Sequence, residues 1–162
     1  MEESVRLDRV FVFNDQLNFL IPHDWVEGDA DDDGTYLYHA PGTESGWLRI
    51  SLITSRLKEN PAERLDEKHE EWRLEYGESV SFDSGTGNLV RVKEAESIEA
   101  DSGAYIYFWY VVHSVLPDRL VEAVFTYTIL KDRKDDPDTR EEVNLLDSLV
   151  RLACFSPPVR SN

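Results

Sequence analysis

Tyr105-Ile106-Tyr107-Phe108-Trp109-Tyr110-Val111-Val112 decides the fold class. Eight aromatic or β-branched side chains stand in a row with no charge among them. Such residues suit the pleated interior of a sheet, and an uncharged run of this length reads as a strand covered on both faces, at least in part. A turn at Pro117-Asp118 leads straight into a second extended run, Leu120 to Leu130. The two runs predict an antiparallel hairpin at the centre of a sheet.

Outward from this hairpin, the pattern predicts shorter strands. Val10–Asn14 and Leu17–Ile21 flank a turn at Asn14-Asp15-Gln16, and Pro22 closes the second of them. Tyr36–His39 is extended. Gly46–Ser55 alternates, with Leu48, Ile50 and Leu52 on one side and Trp47, Arg49, Ser51 and Ile53 on the other. A helix follows, with Asn60 as N-cap, Pro61 at the first helical position, Glu63 completing a capping-box pattern, and Gly77 as the stop. Leu65, Trp72 and Tyr76, with Ala62 and His69 between them, form its narrow apolar stripe. Asn88–Glu99 is a further strand, and Asp101-Ser102-Gly103 a turn. A second helix, capped at Asp138 or Thr139, is expected to bury Val143, Leu146, Val150 and Ala153, with Leu145, Leu149 and Leu152 widening the face.

The order is strand-rich with short connections, which suits antiparallel neighbours over βαβ units. The expected class is α+β: a central antiparallel sheet of about six to seven strands packed with two helices, like an α/β/α sandwich. Residues 1–155 are expected to form one domain and 156–162 a loose C-terminal tail.

Charge narrows the function. The 162 residues carry 33 acids against 17 Lys and Arg, a net charge of −16. A nucleic-acid backbone or an anionic membrane surface is repelled by such a chain. An acidic surface keeps a protein soluble, and it also prefers a basic protein partner. The opening Met-Glu-Glu-Ser-Val-Arg has neither the basic region nor the apolar core of a secretory signal, so the expected compartment is the cytoplasm.

Motifs that would carry chemistry are weak. Asp29, Asp31 and Asp33 before Gly34 match the opening of a calcium loop, but the closing ligand position falls on Ala40, and the flanks read as strands. An acidic solvated turn is the favoured reading, and no metal is expected. Gly85-Thr86-Gly87 resembles the start of a dinucleotide fingerprint, yet it precedes a strand and supplies no helix N-terminus for a phosphate. His23, His39, His69 and His113 do not stand at metal-ligand spacing, and Asp66 with His69 lacks a second such pair. The single cysteine, Cys154, is placed in the last helical turn and is expected to be packed. No nucleophile elbow or acid–base pair stands out, so no cofactor and no catalysis are expected.

What remains is a surface. Tyr105, Tyr107, Trp109, Val111 and His113 share one face of their strand, and Trp47 and Arg49 share one face of another. If the faces coincide, Trp47, Arg49, Tyr105, Tyr107, Trp109 and His113 form an aromatic interface. The competing expectation is that the helices cover these residues as core.

Leu17-Asn18-Phe19-Leu20-Ile21-Pro22-His23-Asp24-Trp25, followed by Tyr36-Leu37-Tyr38 and Gly46-Trp47-Leu48-Arg49-Ile50-Ser51, is similar to an opening that recurs in the PsbP-like superfamily. The order of later elements resembles it too. The resemblance implies an antiparallel sheet sandwiched by helices and a mostly non-catalytic family. That family includes a photosystem subunit, a nuclear-import factor and bacterial effector chaperones. The matched residues are structural and carry no site across. The functional expectation is a cytoplasmic binding or adaptor protein for a basic partner, such as a bacterial effector chaperone or an immunity protein. The alternative is a small-molecule binder or cryptic enzyme with a pocket between sheet and helix.

Overall fold

The computed structural model describes residues 6–28, 34–41, 46–97 and 103–157. In chain order the strands before the first helix are β1 (Leu7–Val12), β2 (Leu17–Pro22), β3 (Val26–Glu27), β4 (Tyr36–His39) and β5 (Trp47–Arg56). Helix α1 (Pro61–Tyr76) leads to β6 (Val80–Asp83), β7 (Asn88–Ser97), β8 (Ala104–Val115) and β9 (Arg119–Leu130). Helix α2 (Pro137–Val150) and β10 (Cys154–Phe155) complete the order.

The hairpin read from Tyr105–Val112 is the middle of a seven-stranded antiparallel sheet in the order β3-β4-β5-β9-β8-β7-β6. Its register sets Trp109 opposite Phe125 on β9 and Val92 on β7. Side chains alternate across a strand, so these residues share one face, together with Leu48, Ile50, Val111, Ala123 and Tyr127. That face is the main core. Each fully buried large side chain in it contributes roughly 1.5–3 kcal/mol relative to exposure.

The cover over this face differs from the expected one. β1 and β2 do not join the central sheet but form a three-stranded sheet with β10. They bury Val12, Leu17, Phe19 and Ile21 against the central sheet beside Leu146 and Val150 of α2. The alternation in Leu17–Ile21 supplies one apolar face, and a separate small sheet can bury it as well as an edge position could. The tight turn between β1 and β2 has Phe13, Asn14 and Asp15 at φ 55°, 53° and 65°, a conformation that Asn and Asp tolerate better than most residues.

The opposite face of the central sheet receives α1. Asn60 caps it through its side-chain oxygen, which accepts from the Ala62 N–H at 2.9 Å. Gly77, at φ 60°, ends it. Leu65 and Trp72 pack on Leu89, Val112 and Leu120, as the stripe predicts, while Tyr76 stays exposed. The antiparallel sheet with a helix on each side is the α+β architecture expected.

Three local expectations are corrected. α2 starts at Pro137 with Asp136 in the N-cap position, because proline suits the first helical turn and Asp138 therefore falls inside the helix. The helix stops at Val150, so Cys154 is not helical; it sits exposed in β10 opposite Asn18. Its packed placement is overturned because β10 pairs only at its edge with β2 and turns the thiol outward, 3.9 Å from an Arg9 guanidinium nitrogen. Leu152, expected on the buried face, is also exposed, since it lies beyond the last helical turn. The Ser156 N–H donates to Gln16 O at 2.9 Å, so the start of the expected tail is tied to the small sheet. Asp29, Asp31 and Asp33 lie outside the described residues.

Candidate functional site

The clearest concavity lies between α2 and the outer edge of the central sheet. Val143, Leu146 and Val150 turn one helical stripe inward. The adjoining positions Asn144 and Asp147 then overhang the sheet edge. Beneath them Val92 on β7 and Tyr107 and Trp109 on β8 make the floor of a cavity of about 420 Å³. A second cavity of about 390 Å³ continues it past Glu94 and Tyr107 to Lys134, Asp135 and Arg140. Together they form one groove running along the helix.

Its polar groups are tied to one another. The Trp109 indole Nε1 donates to Asp147 Oδ1 at 2.9 Å. Arg151, one turn on, donates from Nε to Asp147 Oδ2 at 3.0 Å and from its guanidinium to Ser81 Oγ on β6 at 2.7 Å. The Tyr105 hydroxyl donates to Glu94 Oε1 at 3.1 Å. Burial, with that hydrogen bond and the Glu94 charge, pushes the Tyr105 phenol up to about 12. Burial and Glu94 raise Tyr107 as well. Both phenols are therefore neutral donors near neutral pH. Lys134 Nζ lies 4.5 Å from the centre of the Tyr105 ring, a cation–π placement.

The six residues of the expected interface do not meet on one surface. Tyr105 and Trp109 are buried at 8% and 3% exposure, as core under the small sheet and α2. Tyr107 is half-buried in the groove. Trp47 and Arg49 pair with Thr128 and Thr126, which puts them on the other face of the sheet. There Trp47 packs against the His39 ring at 4.4 Å, and Arg49 is exposed. His113 shares the face of Trp109 but lies toward the far end of β8, stacked on Phe155 at 5.4 Å. Burial holds its imidazole below the usual value, offset only in part by the Gly87 backbone.

Sequence reasoning missed Glu94, Asn144, Asp147 and Arg151. The i, i+4 spacing of Asp147 and Arg151 marks an ion pair on a helix; its contact with Trp109 required the tertiary fold. Gly85-Thr86-Gly87 is the turn expected of it. Asp83 accepts from the Gly85 and Thr86 N–H groups and from the Thr86 hydroxyl, which holds its carboxyl below the usual range. Among the described residues no cluster of three or more His, Cys, Asp or Glu side chains is arranged to hold a metal ion. Among them, too, no helix is long and apolar enough to cross a membrane.

No family model matches this chain, and no curated protein matches its sequence. Solved structures do match in fold. A protein from Bacteroides thetaiotaomicron superposes with a TM-score of 0.57 at 14% identity, over 95% of this chain and 50% of that one. This chain thus spans half the length of that protein. LpqN of Mycobacterium tuberculosis, described as involved in cell envelope biogenesis, gives a TM-score of 0.51 at 13% identity, over 96% and 93% of the two chains. The cyanobacterial PsbP of Synechocystis matches at 13% identity over 94% of each chain, with a TM-score of 0.40. At these identities the likeness is one of fold alone. The antiparallel sheet with helices on its faces, which the resemblance of Leu17–Trp25 implied, is present.

Proposed function

We propose that this chain is a non-catalytic binding protein that engages a basic protein partner. The observation that carries this reading is the net charge of −16, which attracts a cationic surface and repels polyanions. The groove supports it. Its acids Glu94 and Asp147 already accept hydrogen bonds from Tyr105, Trp109 and Arg151, which suits recognition better than proton transfer. An effector chaperone and an immunity protein for a basic toxin are the finer forms of this reading, with the cytoplasm as its compartment.

The test is capture from the native lysate at low salt, followed by rebinding of the identified partner as a purified protein. The expected result is one basic protein whose Kd rises steeply between low and high salt. A salt-independent Kd, or no basic partner, overturns the reading. The groove floored by Tyr107 and Trp109 favours a second one, a small-molecule site of about 420 Å³, within the range of ordinary ligand pockets. A ligand screen that quenches Trp109 fluorescence would support it, and a screen that leaves the fluorescence unchanged would count against it.

A further inference from the structure

β6 is shorter than its neighbour. It pairs with β7 only from Asp83 opposite Asn88 to Val80 opposite Arg91. β7 runs on to Ser97, paired on its inner side with β8 throughout. Among the described residues, then, no strand lies on the outer side of Val92–Ser97. An open edge presents unpaired backbone groups that can accept an added strand. This edge is also the rim of the groove under α2, since Val92, Lys93 and Glu94 of β7 line that groove.

The side chains on the edge select the occupant. Residues directly opposite in an antiparallel pair share a face. A second copy pairing edge to edge about any residue from Lys93 to Glu96 therefore sets like charges against each other: Lys93 on itself, Glu94 on itself, Glu94 on Glu96, or Glu96 on itself. Such pairs are destabilising. A foreign strand with Lys or Arg opposite Glu94 and Glu96 reverses the sign. The Lys131 ammonium that pairs with Glu96 at 3.2 Å is exposed, as is Glu96, and a pair of that kind yields readily to another cation. Two residues beyond Glu94, an apolar side chain opposite Val92 would enter the groove near Trp109, Val92's partner on β8.

We propose that Val92–Ser97 is a strand-addition site for an extended basic segment of a protein partner. The segment reads Lys/Arg, any residue, Lys/Arg, any residue, apolar, and lies antiparallel to β7. This rests on the reading of the chain as a binder of basic proteins and locates the contact.

The probe is the capped peptide Thr-Lys-Thr-Lys-Thr-Val, with its Lys-to-Glu counterpart as control, added to the full chain. Amide hydrogen exchange at 92–97 is expected to slow for the Lys peptide alone, with weaker binding as salt rises. Glu94→Gln with Glu96→Lys is expected to weaken binding about tenfold or more; an amide at position 94 still accepts from the Tyr105 hydroxyl, which keeps the melting temperature close to that of the parent. Equal binding of the Glu peptide, protection elsewhere, or no protection overturns the site. Self-association through this edge, seen as concentration-dependent protection without peptide, overturns it too. A basic partner that binds the double variant as well as the parent removes the site but leaves the basic-partner reading intact. Edge protection by the Lys peptide in a chain with no basic partner does the reverse.

Discussion

Trp109 donates its indole N–H to Asp147 at 2.9 Å, so β8 and the inner edge of α2 are joined by one hydrogen bond beneath the groove. Trp109 is only 3% exposed. Removing its acceptor strands a buried donor and releases Arg151 from its brace to Ser81. Asp147→Ala is therefore expected to cost about 1–3 kcal/mol in urea unfolding. Asp147→Asn keeps an acceptor and loses only a half-exposed ion pair, for about 1 kcal/mol or less. Equal losses in the two variants would refute this role for the indole bond.

Asn88 is the buried polar side chain of the described core. Its amide donates to Ala153 O at 2.8 Å and Arg151 O at 3.1 Å, which holds the chain leaving α2 against the start of β7. Asn88→Ala leaves both carbonyls without that donor, and a loss of about 1–3 kcal/mol is expected. Asn88→Asp sets an anion against the same carbonyls and is expected to lose more. Urea titration of both variants at neutral pH checks the order.

Gly46 precedes β5 at φ 91°, and a Cβ there would collide with the Tyr127 hydroxyl. Gly46→Ala is expected to cost at least about 2 kcal/mol, part from the left-handed backbone and part from the collision. Adding Tyr127→Phe to the Gly46→Ala variant should recover the second part only. A double-mutant cycle measures it, and purely additive losses would show that the hydroxyl is not in the way.

Burial, with the charge of Asp24 adding to it, raises the Glu142 carboxyl above its ordinary 4.5. The folded protein thus favours the protonated form more than the unfolded chain does. The stability this contributes is complete below the ordinary value and is lost as pH rises through the raised one. Glu142→Gln keeps the shape without the charge. It is expected to melt higher than the parent at pH 7 and to lose that advantage on acidification toward pH 4. Melting curves across that range decide it; a variant less stable at pH 7 would contradict it.

Burial lowers His113 below its ordinary 6.5. Its neutral form is favoured in the fold, so the contribution to stability is present above that value and lost as pH falls through the depressed one. An NMR titration is expected to show the His113 imidazole taking up its proton below its ordinary 6.5.

Much of the fold follows from local patterns. Tyr105–Val112 and Leu120–Leu130 could only be strands of a sheet interior. The alternation of Gly46–Ser55 sorted Leu48 and Ile50 from Trp47 and Arg49 correctly, because sidedness within one strand depends on nothing but parity. Asn60, Pro61 and Gly77 marked α1 through backbone chemistry that belongs to the residues themselves.

What the sequence determined by itself, then, was much of the local structure: the central hairpin, the sidedness of the clearly alternating strands, the capped first helix and the negative charge. Only the tertiary structure decided how separate strands are matched. A shift of one residue in pairing turns every side chain of a strand to the other face, so whether Trp47 and Trp109 share a surface depends on β5 meeting β9 and β9 meeting β8 in one register. That register placed them on opposite faces. It also sent β1 and β2 into a separate sheet with β10, left Val92–Ser97 of β7 with no second strand beside it among the described residues, and brought Asp147 to Trp109 to close the groove.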